Sequence, residues 1–345
     1  MHWKPFFSAL LRRKWWLALG IASIAGLVFL GVWLSRSIQF NIIGHSVQSQ
    51  PTSPIAGLPC DNAAQRPIAV MLASDPEARP LSGIGQADLV VEMPVTPDGI
   101  TRFMTVFQCQ TPKEIGSVRS AREDFIPLAA GLDSVYAHWG GEHGALDELN
   151  QHVIDNVNAL YYDGTIFYRK PGIPAPHNGF TTLDLLRGQA TKLGYDLTKN
   201  FPGYLHSTDA PAKNLSNVAS SIAIPYAGYS GLDNVEWTYD AANNAYLRLR
   251  GHASEIDKNT GEQVAASAVV LMHTDSHVLR EGDQYIVVRT TGGGPADIYQ
   301  NGIVISGTWQ KDPAALDSPL RFFDNQHKEI KFVPGPIWIE IVTSS

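Results

Sequence analysis

The chain lacks the signatures of the common catalytic classes. No nucleophile elbow, no zinc-ligand spacing and no nucleotide-binding fingerprint occurs in its 345 residues, so no particular reaction class is indicated. No internal repeat is visible. Cysteine is scarce, with Cys60 and Cys109 the two in the chain. Neither lies at the end of the N-terminal apolar run, which excludes a lipid anchor at that point. Positive charge is in deficit. The net charge is −7, yet residues 1–36 hold five basic groups and no acidic one, which leaves −12 on the remainder. A field of that sign argues against bulk binding to nucleic acid or to anionic lipid.

Residues 15–34 (WWLALGIASIAGLVFLGVWL) contain no charge at all. Twenty helical residues at about 1.5 Å each span roughly 30 Å, the hydrocarbon thickness of a bilayer. Lys4, Arg12, Arg13 and Lys14 precede the run, and Arg36 alone closely follows it. That asymmetry holds the N-terminus in the cytoplasm and carries the C-terminus across. A cleaved signal peptide is the rival reading, but the stretch is long for its apolar region and no small-x-small site follows Leu34. The expectation is a single-pass protein of the cell membrane with an extracytoplasmic C-terminal domain. In an oxidising compartment Cys60 and Cys109 are favoured to form a disulfide, with two unpaired buried thiols as the other reading.

The rest reads as an α+β protein. After the tail and anchor (1–36), residues 37–65 read as a stalk, poor in periodic apolar residues. An α/β layered domain is expected over 66–200, with strands at 67–73, 87–95, 101–109 and 133–139. Helices are expected at 120–130, capped by Ser120 with Glu123 three residues on, and at 144–153. A mostly antiparallel β domain follows over 217–343, and its clearest signal is the Asn301–Gly302 hairpin turn. Gly292–Gly293–Gly294–Pro295 lies between two strands rather than before a helix, so a bulge or turn is expected there instead of a phosphate loop.

Three stretches could carry chemistry. Residues 99–122 hold Arg102, Lys113, Arg119 and Arg122 against Glu114 alone. Arg119 and Arg122 flank the expected helix start, where guanidinium forks and unpaired N–H groups could grip a phosphate or carboxylate. The alternative is an internal ion network with Glu92, Glu123 or Asp124. His138, Glu142 and His143 flank the Gly140–Gly141 turn at a strand's carboxyl edge. Their order matches no recognised metal spacing, so no metal or other cofactor is expected, and His138 stands as a candidate acid–base group. Arg169, His177 and Asn178 lie in a proline-bounded loop that could face the same cleft.

At these residues the chain resembles a known family. RPIAVML, ARPLSGIGQADLVVEMPV, GITRFMTVF, IGSVRSAR, HWGG and APHN look like the N-terminal domain of the YerB-like lipoprotein family, a bacterial group of unknown function. VEWTYD, GTW and FFDNQHKEIKFVPGPIWIEIV are similar to its C-terminal domain. The resemblance covers about residues 66–343 and implies a bacterial, exported, envelope-tethered protein. It carries over no catalytic residue. This chain departs from it in two places: it has a candidate membrane helix where family members have a lipid-modified cysteine, and Leu72-Ala73-Ser74-Asp75-Pro76 where the family usually reads I-D-N-H-P.

The expected function is binding of an anionic envelope component, a glycan, phosphate or peptide carboxylate. The expected ligand residues are Arg102, Arg119 and Arg122, with Glu92, Glu142, Arg169 and Asn178 alongside. The alternative is a hydrolase or transferase with His138 or His177 as general base and the arginines stabilising developing negative charge. The partners expected are the bilayer, through residues 15–34, and that anion, not nucleic acid. A reporter fused after Ser345 should be active only outside the cytoplasm, and converting Arg12, Arg13 and Lys14 to acidic residues should weaken or invert that orientation. Reporter activity in the cytoplasm would overturn the topology.

Overall fold

The computed structural model describes residues 27–33, 50–198, 203–207, 220–226, 234–279 and 285–344. Of the expected membrane segment, 27–33 is helical with exposed side chains, and the remainder lies outside the described residues. Among the described residues no helix is long and apolar enough to cross a membrane.

From Pro51 onward the chain forms one compact unit. Its centre is a large mixed sheet. From edge to edge its strands are Arg321–Asp324, Ile303–Lys311, Gly292–Gln300, Ala268–Val278, Ile337–Ser344, Leu89–Pro94, Thr101–Phe107, Ile68–Ala73, Val135–His138 and Asn156–Asn158. The last strand of the chain therefore lies in the middle. Ile337–Ser344 runs parallel to Leu89–Pro94 on one side and to Ala268–Val278 on the other. Strands from both halves of the sequence thus share one hydrogen-bonded sheet. Ile68–Ala73, Leu89–Pro94 and Thr101–Phe107 are buried at every position, as strands covered on both faces must be.

Each face has its own apolar cluster. On one side Leu183, Leu186 and Ala190 pack down from the helix Leu183–Lys192, beside Trp237 and Tyr246 from a smaller antiparallel sheet. That sheet is built on Ser221–Ile224, Val235–Asp240 and Ala245–Arg250. On the other side Ile126, Leu128 and Ala129 of the helix Ile126–Gly131 join Ala145 and Leu149 of the helix His143–Asn150, together with Trp309 and Phe322. The spacing of three and four residues within each helix puts these side chains on one face.

The strands expected at 67–73, 87–95 and 101–109 appear with ends moved by one or two residues. The hairpin turn at Asn301–Gly302 also appears, both residues taking positive φ (55° and 73°) as a primed two-residue turn requires. Three expectations need correction. Ser120 does not cap a helix. The chain stays extended to Arg122, makes a 3₁₀ turn at Glu123–Phe125, and becomes α-helical at Ile126–Gly131. Pro127 gives the reason, because a helix running 120–130 would place it in the interior, where it has no N–H to donate to residue 123. The backbone of 118–121 is bonded to the sheet instead, Arg119 N–H to the Met71 carbonyl and Ala121 N–H to the Gly140 carbonyl.

The second correction concerns Gly292–Pro295, which lies within the strand Gly292–Gln300 and not in a turn. A side chain on Gly294 would meet the Trp309 indole nitrogen at 2.7 Å and the His273 carbonyl at 2.8 Å. That indole donates to the same carbonyl, so glycine is what lets the two strands close over it. The third is that the folded body reaches back into the expected stalk. Ile55 is fully buried, Ser53 Oγ donates to Gln108 Oε1 at 2.7 Å, and Cys60 is bonded to Cys109.

At the seam between Leu89–Pro94 and the last strand, Glu92 and Glu340 are register partners, and both are completely buried. Arg248 and Arg250 reach them from the small sheet. Arg248 pairs with Glu92, with Glu340 at 2.6 Å and with Glu255 at 2.6 Å. Arg250 pairs with Glu92 and approaches Glu255 at 3.5 Å. Tyr226 OH and Trp237 Nε1 each donate to the Glu340 carboxyl at 2.9 Å. Burial, with Glu92 close by, pushes Glu340 up to about 7 although Arg248 pulls it down.

Two predictions follow from these contacts. Cys60→Ser should lower stability by about 3–4 kcal/mol, since the bond closes a loop with a sequence separation of 49. Unchanged thermal unfolding in that variant would refute a stabilising bridge. Because the folded-state pKa of Glu340 is raised above its ordinary 4.5, the folded state binds the extra proton between the two values. That contribution is fully present below pH 4.5 and is lost as pH rises towards 7. The Tm of Glu340→Gln should therefore fall less than that of the parent between pH 4.5 and 7, and equal falls would contradict the assignment.

Candidate functional site

The expected cleft residues separate into three groups. Glu92 is the first departure. It lies in the buried seam, where Thr101 Oγ1, Arg248 and Arg250 occupy its oxygens, so it faces no cleft. Period-two reading explains this, because Glu92 shares a strand face with Val90, and Glu340 shares one with Trp338.

The second group is local scaffolding. His138 is completely buried at the end of Val135–His138. Its Nδ1 lies 2.7 Å from the Gly140 carbonyl and its Nε2 3.3 Å from Asn156 Oδ1, while the ring stacks on Tyr136 at 5.5 Å. Burial lowers its pKa, and neither ring nitrogen contacts a carboxylate. Glu142 caps its own helix, accepting from Gly144 N–H at 2.7 Å and Ala145 N–H at 2.8 Å, with Glu123 N–H at 3.2 Å. Arg169 lies over the Trp139 ring at 4.2 Å and donates to Asp163 at 2.9 Å and to Asn178 Oδ1 at 3.0 Å. Arg169 and Asn178 thus brace the loop that carries His177, and Arg169 has Asp163 as its counter-ion.

The third group does come together, at the carboxyl end of Ile68–Ala73, where open α/β sheets place ligands. Arg102 pairs in register with Ala73, Val118 bridges to Leu72, and Arg119 and Arg122 follow on the same extended segment. Arg102 is buried and donates to Asp75 Oδ2 at 3.0 Å. Burial lowers its pKa to about 10. Asp75 raises it, and Arg119 and Arg122 lower it further, which places both guanidiniums within electrostatic reach of Arg102. His177 faces the same group. Burial lowers its pKa, Asp75 and Glu77 raise it, and Arg119 and Arg102 lower it. The segment is held from below, since Ser74 Oγ donates to the Thr101 carbonyl and Arg102 Nη1 to the same oxygen.

What distinguishes Arg119 and Arg122 is the missing salt-bridge partner. Among the described residues neither lies in a salt bridge, so the expected alternative of a network with Glu92, Glu123 or Asp124 is not formed. Asp124 accepts from Val288 N–H at 2.9 Å, and burial pushes it up to about 7 although the nearby Arg122 pulls it down. Arg122 is 7% exposed, and its guanidinium carbon lies 4.1 Å above the Tyr285 ring centroid. The Nε atoms of Arg102, Arg119 and Arg122 and the Nδ1 of His177 are all buried without a hydrogen-bond partner. A buried donor left unpaired costs free energy comparable to a lost hydrogen bond, more for a cation. Arg102 is the common neighbour of Arg119, Arg122 and His177, so these unpaired donors gather around it.

Two cavities elsewhere in the body show no such imbalance. A cavity of about 510 Å³ is lined by Arg66, Asp133 and Asp155, but Arg66 is ion-paired to both carboxylates. One of about 430 Å³ contains Asp88 and Asp257, each accepting backbone N–H groups. Among the described residues no group of three or more His, Cys, Asp or Glu could hold a metal ion.

Sequence reasoning missed Asp75, Tyr285 and the Arg248–Arg250 pair. A signal for the last two was present. In Ala245–Arg250 (AYLRLR) strict alternation puts Arg248 and Arg250 on the face of buried Tyr246, which marks them as buried cations needing partners.

The fold and site define a mixed α/β protein with an arginine-rich cluster at its sheet edge. Residues 55–196 match the N-terminal domain, and 222–339 the C-terminal domain, of a protein family of unknown function (DUF3048). The chain belongs to this family, that of the YerB-like proteins. YerB of Bacillus subtilis (strain 168), a lipoprotein by its provisional name, is 32% identical over 294 residues, covering 84% of this chain and 86% of the relative. The crystal structure of Bacillus subtilis YerB matches with a TM-score of 0.76 at 31% identity, covering 85% of this chain and 97% of that one.

Since Arg119 compensates no carboxylate, Arg119→Ala should change stability by no more than about 0.5 kcal/mol. Arg102→Ala leaves Asp75 without its partner and should cost about 1–3 kcal/mol. Chemical unfolding distinguishes the two, and a large loss in Arg119→Ala would mean that its guanidinium is structural.

Proposed function

We propose that this protein is tethered to the outer face of the cell membrane, where it binds an anionic component of the envelope through Arg102, Arg119 and Arg122. The observation that carries the binding reading is the pair of guanidiniums without a carboxylate, one of them buried, in a domain whose overall charge is strongly negative. A site of the opposite sign to its surroundings concentrates anions locally while the rest of the surface repels them. Export is supported by the apolar run 15–34 with its basic N-terminal flank, and by the lipoprotein name of the Bacillus relative. Asp75 neutralises Arg102, so Arg102 forms the floor of the site and Arg119 and Arg122 are its gripping forks.

A second reading, an envelope hydrolase or transferase, rests on His177, whose unpartnered Nδ1 lies beside the arginines. No carboxylate bonded to its ring orients it, as general bases usually require. The binding reading is therefore preferred.

The test is a binding screen of the full chain in detergent micelles against acidic glycan fragments, phosphorylated sugars and acidic peptides. Binding should weaken with added salt. It should fall by about 1.5–3 kcal/mol in Arg119→Ala and in Arg122→Ala, the scale of a charge-assisted hydrogen bond. No anion binding at any ionic strength would end this reading.

A further inference from the structure

We propose that Arg119, Arg122 and His177 form a receptor for a terminal phosphoryl dianion, a phosphate monoester or inorganic phosphate, in preference to a carboxylate or a phosphodiester. This rests on the anion-binding reading above and assigns its ligand class.

The argument is one of charge and donor count. Arg102 and Asp75 neutralise each other across 3.0 Å. Arg119 and Arg122 then contribute two positive charges that no described carboxylate meets in a salt bridge. A carboxylate or a phosphodiester brings one negative charge and would leave a guanidinium uncompensated. For Arg122, 7% exposed, that is a buried unpaired cation, among the costliest arrangements in a protein interior. A phosphoryl dianion answers both.

The donors match as well. The face of Arg122 is occupied by the Tyr285 ring at 4.1 Å, which leaves its in-plane N–H fork for an oxygen acceptor. Its Nε, the Nε of Arg119 and the Nδ1 of His177 are buried and unpartnered. A phosphoryl group offers three acceptor oxygens, one more than a carboxylate. His177 is the neutral member of the set, facing Asp75, Glu77, Arg102 and Arg119. As an Nδ1–H tautomer it donates a hydrogen bond without adding charge. Its loop is braced by Arg169, which donates to Asn178 at 3.0 Å, and Lys170 N–H donates to the Asn178 carbonyl. Arg169 is in this sense a positioning residue.

Calorimetric titration of the full chain in detergent micelles tests the assignment with four probes: a sugar phosphate monoester, inorganic phosphate, dimethyl phosphate and acetate. The monoester should bind at least about tenfold tighter than dimethyl phosphate or acetate. Its affinity should rise from pH 5 to pH 7 as its second proton, with a pKa of about 6, is lost. Inorganic phosphate binding as tightly as the monoester would show that the phosphoryl group alone is recognised, and tighter monoester binding that the attached sugar adds contacts. Either result supports the proposal. Arg122→Lys keeps the charge but loses the fork, and should reduce the monoester preference at least tenfold while the fold, checked by circular dichroism, is retained. The imidazole of His177, followed by NMR, should titrate at higher pH with the monoester bound than without. Equal affinity for acetate and monoester would overturn the phosphoryl assignment and leave the anion site standing. Failure of all four probes to bind would overturn both.

Discussion

The fold depends on charges buried at one seam. Glu92 and Glu340 sit side by side on parallel strands with no exposure to water, an arrangement that two carboxylates alone could not sustain. Arg248 makes it possible. Its guanidinium reaches Glu92, Glu255 and Glu340 at once, and it lies 4.4 Å from the Trp338 ring centroid and 5.1 Å from that of Trp237. Removing any one partner would leave an unpaired charge in the interior, which costs about 3–5 kcal/mol. The consequence is architectural. The small sheet carrying Arg248 and Arg250, the strand Leu89–Pro94 and the final strand are each incomplete without the other two. Chain segments as far apart as residues 92 and 340 therefore belong to one cooperative body.

The candidate site borders this seam. Thr101 bonds Glu92 through its hydroxyl, and its carbonyl accepts from Ser74 and Arg102, so one residue touches both the buried network and the arginine cluster. The two differ in their balance of charge. Within the seam every carboxylate has a guanidinium, and burial beside Glu92 raises the Glu340 pKa. At the sheet edge Arg102 is matched by Asp75, while Arg119 and Arg122 are left over. Interior cations without a bonded counter-ion are costly, and that cost is what the proposed anion would relieve. Thr101 thus ties the position of Arg102 to the buried seam.

How much of this was legible in the sequence depends on the range of the interaction concerned. A strand with a continuous apolar run, such as Ile68–Ala73, announces itself because burial on both faces leaves no polar position. The Asn301–Gly302 turn is as direct, since few other residue pairs adopt two positive φ values at low cost. The charge contrast between residues 99–122 and the rest of the exported region likewise pointed to Arg102, Arg119 and Arg122. Their grouping followed from proximity along the chain. The helix start was misread because the capping pattern at Ser120 was weighed above Pro127, which forbids a helix through that point.

Tertiary structure alone decided the pairings. Glu92 and Glu142 looked like site residues because each lies beside a candidate in sequence, but one is claimed by arginines about 156 positions away and the other by its own helix terminus. His138 was drawn inside by the strand that ends with it, and His177 was left beside the arginines by its braced loop. By itself the sequence determined the strands, the hairpin, the strong negative charge of the domain and the one basic segment within it, because these follow from local periodicity and composition. Which cations form salt bridges and which do not was decided by strand order, above all by the last strand entering the middle of the sheet. Charge compensation acts between side chains brought together in space, and no local pattern records that pairing.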